Sequence, residues 1–241
     1  MNKSPKKSGL AVLFFVFILV FGWAGCSKTG SSLTINPVSY LSVINEATYS
    51  GAVNVYLNDT IATQQPISAG TFSPQYGTIR PGNYAVKFVG ATVDTTLGQV
   101  AQSLFDTLNF YTLVLYNPPA AGSAAQAMKI WDDFSSISTA NANYRFFNLC
   151  ADYPSVDLYF NNTLVQPGRT TADNAGNQSL NSFLAVPPGN YTMTVKMAGT
   201  DSVVATINAG MLQGDVYTVF LGGNTKSRTT PVQINLLQAS Y

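Results

Sequence analysis

The chain has 241 residues, 46% of them hydrophobic and only 10% charged, with 12 Lys and Arg against 11 Asp and Glu. A formal charge of +1 and the absence of histidine exclude a basic nucleic-acid surface, His-ligated zinc and every nucleophile system that relies on imidazole. No cofactor fingerprint or metal-ligand spacing takes their place, so the sequence speaks mainly of address and architecture.

Lys3, Lys6 and Lys7 precede an apolar run from Leu10 to Phe21, followed by Gly22-Trp23-Ala24-Gly25-Cys26. A basic segment, an apolar segment and small residues, in that order, predict a secretory signal over residues 1–25. The apolar run is too short for a spanning helix, which needs about 20 residues. Ala24-Gly25-Cys26 resembles a bacterial lipoprotein signal, with Trp23 where an aliphatic residue is usual. The resemblance implies that Cys26 is acylated, palmitate included, and becomes the mature first residue. Each buried methylene contributes about 0.8 kcal/mol, so several acyl chains would hold the protein on a membrane. Residues 26–37, rich in Ser, Gly and Thr, read as a flexible tether. Losing three lysines with the signal leaves a mildly acidic body, so charge is not a second anchor. Ser27 does not resemble the aspartate that retains many lipoproteins at the inner membrane, which points to the outer membrane of the cell envelope. Cys150, in an apolar stretch, reads as a buried small hydrophobe.

The rest of the chain repeats itself. Ile44-Asn45 is echoed by Phe147-Asn148, and Val53-Asn54-Val55-Tyr56-Leu57-Asn58 by Val156-Asp157-Leu158-Tyr159-Phe160-Asn161, both at an offset of 103. Pro81-Gly82-Asn83-Tyr84 matches Pro188-Gly189-Asn190-Tyr191 at 107, and Tyr111-Thr112-Leu113-Val114 matches Tyr217-Thr218-Val219-Phe220 at 106. Residues 168–179, rich in Gly, Thr, Asn and Gln, read as an exposed loop enlarged in the second copy.

Within each copy large apolar groups fall at every second position. Val53, Val55 and Leu57, like Val156, Leu158 and Phe160, are expected to point into a core, with the Asn, Asp and Tyr between them on a wet face. Pro-Gly-Asn before Tyr84 and Tyr191 supplies a turn. Val100 to Leu108 is the best helical candidate. Met128-Lys129-Ile130-Trp131 closes the first copy, with Val232-Gln233-Ile234-Asn235 as its counterpart. Short strands separated by turn signals over about 100 residues predict an all-β fold. Two tandem immunoglobulin-like antiparallel β-sandwiches are expected, over 38–135 and 144–241, joined by a linker at 136–143.

The aromatic-Asn strand, the Ala-Asp-x-Pro-x-Val-Asp-Leu-Tyr segment from Ala151, the Val-Pro-Pro-Gly-Asn-Tyr turn and the Tyr-Thr-Val strand resemble the domain-of-unknown-function family DUF4397. The resemblance covers most of residues 38–241 and is better in the second copy. It implies extracytoplasmic β-sandwiches, often in tandem on lipoproteins, and supplies no catalytic residue.

Carboxylates are the remaining catalytic material. Asp132 and Asp133 are adjacent and would point to opposite faces of a strand. Asp152 and Asp157, across a turn at Pro154, are the pair able to converge, as a polysaccharide hydrolase or a calcium site requires. The first copy has Asn54 where the second has Asp157, so the sequence favours a turn-capping role for Asp152 and a solvated outward position for Asp157. Tyr56, Asn58, Tyr159 and Asn161 recur on the outward face, and aromatic rings beside amides suit a sugar or a protein partner, although strand packing alone also accounts for them. Asp59-Thr60-Ile61, Asp94-Thr95-Thr96, Asp106-Thr107-Leu108 and Asp201-Ser202-Val203 each resemble a bacterial O-glycosylation acceptor. The expected function is a membrane-anchored, non-enzymatic module for binding, adhesion or scaffolding in the cell envelope, with a glycan or protein partner and no nucleic acid. A hydrolase using Asp152 and Asp157 and a purely structural spacer are the alternatives.

Overall fold

A computed structural model describes residues 36–119 and 124–239; the signal segment, Cys26 and most of the tether lie outside the described residues. The first copy runs β1 (Ser39–Glu46), β2 (Val53–Leu57), β3 (Thr60–Ile61), β4 (Thr71–Phe72), β5 (Gly77–Ile79), β6 (Gly82–Gly90), β7 (Thr96–Phe105), β8 (Phe110–Tyr116) and β9 (Gln126–Trp131). The second runs β10 (Ala142–Asn148), β11 (Ser155–Phe160), β12 (Thr163–Thr170), a short helix α1 (Asp173–Gly176), a 3-10 turn (Gln178–Asn181), β13 (Leu184–Val186), β14 (Gly189–Met197), β15 (Val203–Met211), β16 (Val216–Gly222) and β17 (Gln233–Ala239). No helix among the described residues is long and apolar enough to cross a membrane.

The strands form four sheets. An outer sheet β3-β2-β6-β7 packs on an inner sheet β4-β1-β8-β9, to which β5 also pairs; the second copy repeats this with β12-β11-β14-β15 outside and β13-β10-β16-β17 inside. As the period of two predicts, Val53, Val55, Leu57, Val86 and Phe88 meet Leu41, Val43, Leu113 and Leu115 in one core. Val156, Leu158, Phe160, Met193 and Val195 meet Tyr144, Phe146, Val219 and Leu221 in another. A third core lies between the two inner sheets, where Ile44, Val114, Met128 and Ile130 pack on Phe147, Leu149, Phe220 and Leu237. The two tandem sandwiches are therefore stacked into four layers, and the described residues from Pro37 onward make one compact unit. The wet face expected of each copy belongs to the outer sheets. β10 and β16 are buried at every position because both of their faces are covered.

Three sequence expectations change. The sandwiches are rich in antiparallel pairs, but β1 pairs β8 in parallel and β10 pairs β16 in parallel. A parallel neighbour needs a long crossover, and the excursion through each outer sheet provides it. Val100 to Leu108 is not helical: it continues β7 to Phe105 and turns into β8. Pairing of β7 with β6 slips between Tyr84 and Val86, and the extra residue of this bulge breaks the two-residue period and imitates a helical one. The counterpart of Met128–Trp131 is not Val232–Asn235. Tyr111 lies opposite Trp131 and the equivalent Tyr217 lies opposite Gln238, so the matching segment is Asn235–Gln238.

The repeated asparagines hold each copy in register. Asn45 Nδ2 donates to the carbonyls of Gly51 and Ile67, and its Oδ1 accepts from Ala47 N. Asn148 Nδ2 donates to Tyr153 and Arg169, and its Oδ1 accepts from Cys150 N. Each thus ties the end of an inner strand to the loops of its own sandwich. The tyrosines that open β8 and β16 are matched too: Tyr111 Oη accepts from Asp106 N and Tyr217 Oη from Leu212 N. Replacing Asn148 by Ala leaves buried carbonyls unpaired, and urea unfolding should show a loss of about 3 kcal/mol.

Candidate functional site

The outward residues singled out by the sequence divide into two kinds. Tyr56 and Tyr159 lie half-buried on the outer sheets, Tyr159 with Lys196 Nζ 4.7 Å from its ring centre. Asn58 and Asn161 adopt positive φ, 54° and 47°, at hairpin turns. Their side-chain oxygens accept from Ala85 N at 3.0 Å and Thr192 N at 2.8 Å. The paired amides therefore hold turns, where asparagine tolerates left-handed geometry. Tyr56 and Tyr159 sit on the outermost layers of opposite ends of the stack, so the structure does not bring them into one site. The four Asp-Ser/Thr motifs all fall on exposed turns or adjoining strand ends.

Asp157 is not solvated: it is 7% exposed, and its two oxygens accept from Gly168 N at 2.6 Å and Gly199 N at 3.0 Å. The pairing of β11 with β12 slips beside it, and its carboxylate satisfies N–H groups of the β12 bulge and of the turn after β14. Asp152 accepts from Thr225 N, Thr225 Oγ1 and Tyr49 Oη at 2.7, 2.7 and 2.9 Å. Partial burial opposes its ionisation, but those bonds and the nearby Lys226 hold its carboxyl below the ordinary range. It caps backbone as the sequence suggests, and it also bridges the two sandwiches. Asp152 and Asp157 share no hydrogen-bond partner. Asp133 Oδ1 accepts from Ser135 N.

Asp132 and Arg145 form a site that the sequence reading missed. Asp132 follows β9, Arg145 is on β10, and both side chains are fully buried in the seam between the inner sheets, with Nη1 2.6 Å from Oδ1. That contact is off-line for a hydrogen bond, and the surrounding hydroxyls complete the pair. Arg145 Nε donates to Thr218 Oγ1 at 2.9 Å and Nη2 to Thr112 Oγ1 at 3.3 Å. Thr112 Oγ1 and Tyr76 Oη donate to Asp132 Oδ2 at 2.6 and 2.7 Å. The guanidinium lies between the rings of Phe147 and Phe183, 4.9 and 4.6 Å from their centres. Burial and the Asp132 charge push the Tyr76 phenol well up, so it stays a donor. The signal was available in sequence: Arg145 is the one charged residue of β10, at the position of Ser42 in the first copy.

Farther along the seam stands Glu46, the chain's one glutamate and 1% exposed, where the second copy has Leu149. Its Oε2 accepts from Gly223 N at 3.0 Å while Oε1 has no hydrogen-bond partner among the described residues, and a Cβ at Gly222 would collide with the carboxyl. Burial raises its pKa from 4.5 to about 7, against the opposing Gly223 bond. Beside it Cys150 is buried, with Sγ 3.4 Å from Gly223 O, and burial pushes its thiol up to about 11. A thiol so placed is inert at neutral pH, in line with its reading as a small hydrophobe.

Two outcomes follow. Asp132→Ala strands Arg145 without its charge partner and should cost about 3–5 kcal/mol in urea unfolding, whereas Asp132→Leu with Arg145→Met should recover most of that loss. Between pH 4.5 and about 7 the folded chain keeps a proton on Glu46 that the unfolded chain has released. The resulting stability is complete below 4.5 and is lost as pH rises through about 7. Measured as the difference between wild type and Glu46→Gln, the change across this window should reach about 3 kcal/mol.

No curated protein matches the chain. A family model for a domain of unknown function, DUF4397, matches residues 39–159 and again 142–238, the two matches overlapping across β10 and most of β11. Together they span both sandwiches and the seam, and the chain belongs to the DUF4397 family.

Proposed function

We propose that the protein is an exported, lipid-anchored component of the bacterial cell envelope whose stacked sandwiches act as a rigid, non-enzymatic module for binding or scaffolding. The observation that carries this reading is the employment of the carboxylates. Asp132, Asp133, Asp152 and Asp157, the four that the sequence offered to chemistry, are each engaged in hydrogen bonds or ion pairs that hold the fold. A general acid or nucleophile needs an unspent carboxylate facing a substrate. The hydrolase reading on Asp152 and Asp157 therefore has no geometric support, and a stiff body suits presentation of a surface. The basic and apolar N-terminal segment ending at Cys26 supports export and acylation, and the tether after it supports display at a distance from the bilayer.

The test is direct. The full chain expressed in a Gram-negative host should fractionate with the outer membrane, incorporate labelled palmitate and show a cysteine-linked diacylglycerol mass on its N-terminal peptide. Cys26→Ser should abolish the label and release the protein from the membrane. An unmodified Cys26 in the wild type, or membrane retention of the variant, would overturn the anchoring.

A further inference from the structure

The chain's aspartates fall into two groups. Asp132, Asp133, Asp152, Asp157, Asp173 and Asp215 accept hydrogen bonds that hold loops, bulges, strand ends or the seam, and none is followed by serine or threonine. Asp59, Asp94, Asp106 and Asp201 are each followed by one, and every residue of the four tripeptides they begin is exposed. The carboxylates of Asp59 and Asp201 meet only Lys87 and Lys196, at 3.0 Å, and lie almost wholly in water. An ion pair so open to solvent contributes little to stability, so the fold has no need of either carboxylate. Three of the tripeptides end in a large aliphatic side chain left in water: Ile61 is 51% exposed, Leu108 65% and Val203 58%. Exposed hydrocarbon is common singly, but here it recurs at the same distance from an exposed carboxylate each time.

Between the carboxylate and the aliphatic group stands an unemployed hydroxyl. Thr60 opens β3, Thr107 lies in the turn from β7 to β8 and Ser202 precedes β15, and their Oγ atoms make no hydrogen bond among the described residues. Thr95 differs twice: its Oγ1 donates to Val93 O at 3.0 Å, and its tripeptide ends in Thr96 rather than an aliphatic residue. The three free hydroxyls sit at the ends or the edge of the outer sheets, away from the seam, so a bulky group attached there displaces no core residue. A turn in such a place can enter the cleft of another enzyme while the strands stay paired. The anion on one side and the apolar surface on the other give that enzyme two handles on the same hydroxyl. A neutral glycosyl group adds no charge beside the carboxylate, as a phosphoryl group would, and the tripeptides resemble the bacterial O-glycosylation acceptor. We infer that Thr60, Thr107 and Ser202 are O-glycosylated on the folded protein. In that step the hydroxyl oxygen bonds to the anomeric carbon of a glycosyl diphosphate donor, and the bond from that carbon to the phosphate oxygen breaks. The diphosphate leaves with the electron pair, and the hydroxyl proton passes to a base of the transferase.

Glycosylation at these sites goes beyond the proposed function and shares with it only the premise of export. The full chain is isolated from whole cells of its own bacterium, digested and sequenced by electron-transfer mass spectrometry, with the N-terminal peptide read from the same sample. Peptides carrying Thr60, Thr107 and Ser202 should bear sugar mass on those hydroxyls, on chains whose signal has been removed. Asp59→Asn, Asp106→Asn and Asp201→Asn, which keep the side-chain shape, should each lower occupancy at the adjoining hydroxyl by about tenfold or more, with the unfolding midpoint unchanged. Should an aspartate variant misfold, Ile61→Gln decides, because it leaves carboxylate and hydroxyl in place and should lower occupancy at Thr60 alone. Bare hydroxyls on chains that have lost the signal would overturn the assignment and leave export standing, whereas an intact signal on bare chains would overturn both. Phosphate in place of sugar, sugar confined to other residues, or occupancy untouched by the variants would overturn the assignment as well.

Discussion

Arg145 and Asp132 are both withdrawn from water, and opposite charges in that position persist only where the surrounding structure keeps them dry and hydrogen-bonded. The condition is met from both copies at once. Thr112 and Tyr76 come from the first copy and hold Asp132, Thr218, Phe147 and Phe183 come from the second and hold Arg145, and the ion pair and the Arg145–Thr112 bond join the two sets only while the inner sheets stay face to face. The apolar residues of the seam provide most of the driving force, since burial of hydrocarbon scales with area and a buried ion pair contributes little net stability. The pair instead penalises every other alignment of the two sheets. A sliding or parted seam would leave a guanidinium and a carboxylate stranded in hydrocarbon.

Much of this fold could be read in the sequence, because its strands obey a period of two and its duplicated turns carry the same residues. Val53, Val55 and Leu57 and their counterparts point inward as their spacing dictates. Stacking was hidden for the same reason. A strand covered on both faces shows a continuous apolar run, and Leu113-Val114-Leu115 and Phe146-Phe147 read equally well as part of a single core. The polar residues that mark the seam, Thr112, Arg145 and Thr218, look like outward positions until the opposing sheet is present. Bulges account for two further departures, since an inserted residue disguised β7 as a helix and another in β12 drew Asp157 inward.

The residues that the copies share and those they do not share have different jobs. Asn45 and Asn148, Asn58 and Asn161, Tyr111 and Tyr217 make equivalent bonds to their own sandwiches, and each half needs them to close its own turns and strand ends. Glu46, Arg145, Asp152 and Arg169 have no chemical match in the other copy; the first three lie at the seam, and Arg169 is buried in the second sandwich beside Asp173. Chemical individuality is thus concentrated where repetition breaks.

A seam built from unlike faces also governs self-recognition. Two first copies laid against each other would set Ser42 where Arg145 belongs, leaving each Asp132 without a counter-ion; two second copies would bury paired guanidiniums with no acid between them. Each half is therefore a poor mate for its own kind and a good one for its sibling. Wherever neighbouring molecules meet at high local concentration, that asymmetry disfavours exchange of halves between chains and keeps each polypeptide closed on itself.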